Sequence, residues 1–142
     1  MAVPETVLNV KDLRVRFRTL DGMVDAVKGI NLNVKSGETV AIVGESGSGK
    51  SQTMMAAMRL LASNGEATGA VDYRGRNLLD LNKSELNKVR GRKITMIFQE
   101  PMTSLDPLYT IGNQLMEPIT RHRGLSGREA WNEAVPLLGL VK

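Results

Sequence analysis

The stretch Thr39–Gln52, TVAIVGESGSGKSQ, decides how this chain is read. Residues 39–43 form a short continuous apolar run. Such runs mark strands buried on both faces of a parallel sheet, where alternation is not needed. Residues 44–51 then satisfy G-x-x-x-x-G-K-[ST] in full. After them Met54, Met55, Met58 and Leu61 recur at helical spacing, a stripe that reads as core rather than as a ligand site. The order is buried strand, glycine-rich loop, helix. That order predicts an α/β fold built around a phosphate-binding loop.

The chemistry explains the spacing. Glycines let the backbone curl so that successive N–H groups point inward at phosphate oxygens. A helix starting near Lys50 adds the positive end of its dipole. The Lys50 ammonium reaches β- and γ-phosphates, and the Ser51 hydroxyl is placed for Mg²⁺. A plain glycine-rich turn with a surface lysine accounts for neither the flanking elements nor the serine.

Working outward, residues 12–18 alternate strictly, Leu13, Val15 and Phe17 against Arg14, Arg16 and Arg18. Ile30, Leu32 and Val34 alternate with Asn31, Asn33 and Lys35. These are two half-buried strands joined through the turn at 19–22, and they are expected to pair antiparallel. A further exposed-sheet strand is expected around Val71 and Tyr73, closed by Arg74-Gly75. In small GTPases and nucleoside kinases the loop usually follows the first strand. Antiparallel strands ahead of it argue for an ATPase with an added β-subdomain.

Downstream, Asn82 and Glu85 predict a helix start for 83–90. ITMIF, 94–98, reads as a second buried strand, which puts Gln99 at a C-terminal strand end, where open α/β sheets place ligands. An amide there can touch both Mg²⁺ and an attacking water. From Pro101 to Pro107 the sequence reads as loop. Helices are predicted over 111–122 and 127–139, the second opened by a capping box of Ser126 and Glu129. Pro118 and Pro136 are expected to shorten or kink them. Trp131, spaced with Ala134, Val135 and Leu138, is expected in the core, and His122 on the surface.

Composition narrows the classes. The chain has 142 residues, normally one domain, with 42% hydrophobic and 4% aromatic residues. Its net charge is +4, but the basic residues are scattered. The KVRGRK cluster at 88–93 has no interleaved aromatics, so a nucleic-acid partner is not expected. With no cysteine, disulfides and cysteine–zinc sites are excluded. The start, MAVPETVLNV, lacks the pattern of a signal peptide. No run approaches the roughly 18 apolar residues of a membrane span. A soluble protein is expected, reaching any membrane through a partner.

VGESGSGKS followed by MIFQEPMTSLDP resembles the ATP-binding subunits of ABC transporters, and closely those of bacterial oligopeptide and dipeptide importers. The similarity extends over DLRVRF, AVKGINLNVKSGETVAIVGESGSGKS, MIFQEPMTSLDPLYTIGNQL and the following helices. It implies a P-loop NTPase core, truncated, with an antiparallel β-subdomain. Residues 1–100 would be the first part of the ATPase domain, and 101–142 the beginning of its helical subdomain.

The resemblance also implies roles. Gly44, Glu45, Ser46, Gly47, Ser48, Gly49, Lys50 and Ser51 would be the Walker A loop, binding ATP, with Lys50 acting in catalysis. Gln99 would be the Q-loop glutamine, acting in catalysis and, with Ser51, on Mg²⁺. Phe17 stands where the family's aromatic stacks on adenine, although its place on the apolar side of a strand equally suits plain packing. Gln52 either joins the Mg²⁺ shell or is an ordinary helix position. The implied partners are transmembrane permease subunits, a second ATP-binding subunit and, indirectly, a periplasmic substrate-binding protein. The implied location is the cytoplasmic face of the bacterial inner membrane.

The family pattern continues with an LSGGQ-type signature, a strand ending in Asp-Glu and a switch histidine. None is found in this sequence. GLSGREA, around Ser126-Gly127-Arg128, comes too early and lacks paired glycines. An N-terminal portion of such a subunit is therefore expected, hydrolytically incomplete by itself. The rival expectation is a non-enzymatic nucleotide-binding or docking module that pairs with a separate C-terminal half.

Overall fold

In the computed structural model, which describes residues 5–100 and 104–141, the alternating segments form one long hairpin. Strand β1 runs over Thr6–Thr19 and β2 over Gly22–Lys35, paired antiparallel through a two-residue turn at Leu20-Asp21. The expected pairing is therefore present, and each strand is longer than the alternation alone indicated. After helix α1, Lys50–Ala57, come strand β3, Gly65–Tyr73, and the short β4, Arg76–Asn77. The sheet order is β2-β1-β3-β4, antiparallel throughout. Val10, Leu13, Val15, Val27 and Val71 are buried in it.

Strict alternation fails at one place in β1. Val10 and Leu13 are both buried, though they are three apart. The register shifts between them on both sides of the strand. Asp12 takes a left-handed backbone, φ 43°. An extra residue absorbed this way is a β-bulge, and it resets which face each later side chain meets. Two glycines make room for it. A Cβ on Gly69 of β3 would lie 2.4 Å from the Asp12 carbonyl oxygen, and one on Gly29 of β2 would lie 2.5 Å from Asp12 Oδ1. The Asp12 carboxylate accepts two bonds from the Arg14 guanidinium, at 2.9 and 3.3 Å, and its N–H donates to Asn31 Oδ1 at 3.0 Å. The carboxylate holds the Arg14 pKa above its ordinary value, chiefly through that hydrogen bond.

Helix α1 is shorter than its Met stripe suggested. Arg59 adopts φ 52°, its N–H donates to Ala56 O and that of Leu60 to Met55 O. That pair of bonds is a Schellman stop, so the helix ends at Ala57, short of Leu61, the last residue of that stripe. Its buried face is Thr53, Ala56, Ala57 and the capping Met58, while Met54, Met55 and Leu61 are half-buried. The small residues let α1 sit close against β1 and β2.

Two expected elements are absent. Residues 39–43 and 94–98 form no strand; Ile94 makes one isolated bridge with Arg90. Val40, Ile42 and Val43 are exposed, as are Ile97 and Phe98. A continuous apolar run signals burial on two faces, but a strand exists only where a neighbour supplies hydrogen bonds. Among the described residues neither run has such a ladder.

The chain divides into two compact units, through Asn82 and from Lys83. The second carries α2, Lys83–Val89, then α3, Ile111–Arg123, and α4, Gly127–Leu140. Helix α3 is capped by the Thr110 side chain, which accepts from Asn113 N at 3.2 Å, and ends at the left-handed Gly124. Ser126 is the N-cap of α4, but its hydroxyl makes no capping bond, so the expected capping box is not formed. Both helices continue through their prolines and neither is shortened. Ile119, Ala130 and Ala134 form the core between α3 and α4, with Leu115, Met116 and Leu125 around it. Trp131, Val135 and Leu138 are not in that core; each is about half exposed. The Trp131 ring instead lies across Gly112 of α3, where a Cβ would be 2.4 Å from it. Of the expected loop at 101–107, the first three residues lie outside the described residues, and the rest is irregular, with a bend at 104–105 and a turn beginning at Pro107.

Candidate nucleotide-binding loop

Residues 44–49 form an exposed loop entering α1. Gly47 and Gly49 take φ 80° and 90°, a region that residues with a Cβ rarely enter. Around Gly47 there is nothing within 4 Å of a notional Cβ, so the crown of the loop is open. Gly49 is tight: a Cβ there would lie 2.6 Å from Ala26 O and 3.3 Å from Val27 Cγ2. The hairpin backbone thus presses directly on the last turn of the loop.

The helix start is open toward the loop. Gly49 is the N-cap and offers no side-chain cap. Thr53, 4% exposed, returns both its N–H and its hydroxyl to Gly49 O, at 2.9 and 3.0 Å. The N–H groups of Lys50, Ser51 and Gln52, in the turn before it, are those a helix leaves without an internal acceptor. No acidic residue stands in that first turn. Uncapped donors and the positive dipole end make this an anion site.

Lys50 Nζ donates to Gly44 O at 2.8 Å, to Glu45 O at 2.7 Å and to Ser48 Oγ at 3.4 Å. The ammonium is therefore held over the loop by neutral oxygens, and no carboxylate among the described residues is paired to it. Ser48 N–H closes a turn on Glu45 O at 3.3 Å. Ser51 is exposed at the helix start and Gln52 is half-buried. Open N–H groups, an unneutralised ammonium and two hydroxyls suit a polyphosphate. Among the described residues no cluster of three or more His, Cys, Asp or Glu side chains gathers to hold a metal. The Ser51 hydroxyl, exposed at the helix start, is an oxygen donor of the kind that fits Mg²⁺ arriving as a companion of phosphate.

The remaining expected site residues are placed separately. Phe17 is half-buried in β1, its ring against Gly65, where a Cβ would lie 2.6 Å from it. Gln99 is exposed in a bend of the second unit, following irregular backbone rather than a strand. His122 is half-buried rather than on the open surface; its ring lies against Gly91. The reading from sequence missed Thr53 and Ala26. A third loop glycine that needs close backbone approach was the available signal for Ala26.

An antiparallel hairpin sheet feeding a glycine-rich loop, with Lys-Ser opening the next helix, defines the architecture of ATP-binding cassettes. The ABC transporter family model matches residues 27–141, and the chain belongs to that family. It is 53% identical over 138 residues to the oligopeptide transport ATP-binding protein OppD of Escherichia coli, covering 97% of this chain and 41% of that protein. It is 48% identical to the dipeptide transport ATP-binding protein DppD of Lactococcus lactis, covering 96% of this chain and 40% of that one. Among solved structures it is similar to the ATP-binding cassette MJ0796, in a dimeric post-hydrolysis state bound to ADP and phosphate. There the TM-score is 0.74 at 32% identity, over 93% of this chain and 56% of that one. The fold is that of part of an ABC ATPase. The chain spans about two fifths of the length of the curated relatives it matches.

Proposed function

We propose that this chain is the nucleotide-binding portion of an ATP-binding subunit in a peptide-type ABC importer. The observation that carries the reading is the Lys50 ammonium, held by the Gly44 and Glu45 carbonyls over an uncapped helix start. In this reading Gly44–Ser51 wraps the phosphates of ATP, with N–H groups taking oxygens and Lys50 turning from its carbonyl partners onto the β- and γ-phosphates. Mg²⁺, when bound, neutralises phosphate charge and polarises the oxygens. Ser51 would hold it, and Gln99 would supply an amide to it and orient water. Phe17 would offer a ring to adenine, and Gln52 would join the metal shell. Residues 1–100 act as the nucleotide-binding part, and 101–142 begin the helical subdomain.

The whole assembly, in this reading, couples ATP hydrolysis to peptide uptake. It has permease subunits, a second ATP-binding subunit and, indirectly, a periplasmic binding protein, and works at the cytoplasmic face of the inner membrane. Among the described residues no helix is long and apolar enough to cross a membrane. The 142-residue chain alone binds Mg·ATP without appreciable turnover, because phosphoryl transfer to water also needs a carboxylate base and a second side to the metal shell. Exposed Val43 and Ile97, at 92% and 98%, favour cover by further polypeptide, in keeping with a docking module as the second reading.

The test is equilibrium binding of a fluorescent ATP analogue with Mg²⁺, alongside a phosphate-release assay. Binding without release, lost in Lys50→Ala, is the expected result. Absence of binding by the intact chain overturns the nucleotide assignment; rapid release that depends on Lys50 overturns the incompleteness.

A further inference from the structure

The second unit carries a basic cavity that the nucleotide loop does not explain. It has a volume of about 250 Å³ and is lined by Ser84, Asn87, Lys88, Arg92, Arg121 and His122. Ser84, Asn87 and Lys88 are spaced three and four apart on α2, hence on one face. Arg121 and His122 come from the last turn of α3. Gly91, with φ 77°, lets the imidazole pack close: a Cβ there would lie 2.8 Å from His122 Nε2. The ring is thus fixed at the cavity wall.

Among the described residues no carboxylate lines this space. Among the described residues Lys88, Arg92, Arg121 and His122 make no ion pair. Elsewhere the chain does pair its arginines, as in Arg14 with Asp12, Arg16 with Asp25 and Arg123 with Glu133. A helix C-terminus tolerates cations, which accounts for Lys88 and for the pair on α3 taken singly. It does not account for their convergence on one polar cavity with a hydroxyl and an amide. Like charges so gathered repel, and a multivalent anion removes that cost.

We propose that this cavity binds a phosphate group, carried by a small molecule or by an anionic lipid headgroup. The guanidinium forks of Arg92 and Arg121 and the ammonium of Lys88 take the oxygens, which is the donor set suited to a tetrahedral dianion. Ser84, Asn87 and His122 complete the rim. The volume is below the roughly 300–1,000 Å³ of drug-sized sites and suits a phosphate with its nearest waters.

His122 is the single histidine of the chain, so its ring protons report on this cavity and not on the loop at 44–51. The full chain is titrated at constant pH and ionic strength with inorganic phosphate, and separately with phosphatidylglycerol or phosphatidylcholine vesicles, while those signals are followed. A saturable phosphate response supports the site with a free ligand. A response to phosphatidylglycerol alone supports a headgroup. Either is weakened by about tenfold or more in Arg121→Gln and in Lys88→Gln, as loss of a charged hydrogen bond requires. The remote Arg128→Gln leaves it unchanged. A response equal to that of chloride, one retained in both cavity variants, or none in any arm overturns the proposal.

Discussion

Gly49 of the glycine-rich loop and Ala26 of β2 are in backbone contact: a Cβ on Gly49 would lie 2.6 Å from Ala26 O. Gly47, two residues earlier, has nothing within 4 Å. The two glycines share a left-handed backbone and differ only in surroundings. Gly47→Ala is therefore expected to cost about 1 kcal/mol, the αL penalty alone. Gly49→Ala should cost about 3 kcal/mol, since backbone must also move. Urea midpoints of the two variants decide it; equal losses would mean the hairpin does not press on the loop.

Lys50→Ala removes the ammonium bonded to the Gly44 and Glu45 carbonyls. Those groups are exposed, so stability should change by less than about 0.5 kcal/mol. Affinity for Mg·ATP should fall by about 2–4 kcal/mol through lost charged bonds to phosphate. Thermal melts with and without nucleotide separate the two effects: nucleotide raises the Tm of the parent chain only.

Arg74 and Gly75 turn β3 into β4 with φ 46° and 80°. Both central residues of this two-residue turn are left-handed, the pattern that favours Asn-Gly. Arg74→Asn should stabilise by about 0.5–1 kcal/mol. The exposed Arg74–Glu5 pair, 3.6 Å apart, offsets little of this. Calorimetry should show a higher Tm, and a lower one would refute the turn assignment.

Trp131 is the single tryptophan and lies over Gly112. In Gly112→Ala the ring, which is half exposed, is expected to swing outward while the helix pair survives. Its emission should shift to the red with little change in far-ultraviolet circular dichroism. Unchanged emission would place the ring elsewhere.

The sequence made the hairpin legible because alternation is local: Leu13, Val15 and Phe17 against three arginines need no knowledge of neighbours. The loop entering α1 was legible as structure because closely spaced glycines at 44, 47 and 49 break regular backbone just before a helical pattern begins. The strands expected at 39–43 and 94–98 were not, since an apolar run states a need for partners and not their presence. The end of α1 was missed because Arg59 carries no sign of a left-handed stop, unlike glycine. Trp131 shows a further limit: helical spacing puts it near α3, but a glycine on the partner lets the ring lie across the helix, half in solvent. The His122 environment depended on Gly91, distant in sequence and given no role.

The bulge at Asp12 has a consequence for how the sheet finds its pairing. Two 14-residue strands of alternating residues can slide by two positions and still keep their apolar faces together. A bulged residue opposite a glycine works as a pawl: Gly69 of β3 accepts the Asp12 backbone, which a Cβ there would meet at 2.4 Å, whereas Gly29 of β2 faces only the movable side chains of Asp12 and Arg14. Slid by two, β3 would present Ala67 or Val71 to that backbone, each with a Cβ where none fits. The strand at the centre of the sheet is thus locked lengthwise against β3 by the absence of one methyl group.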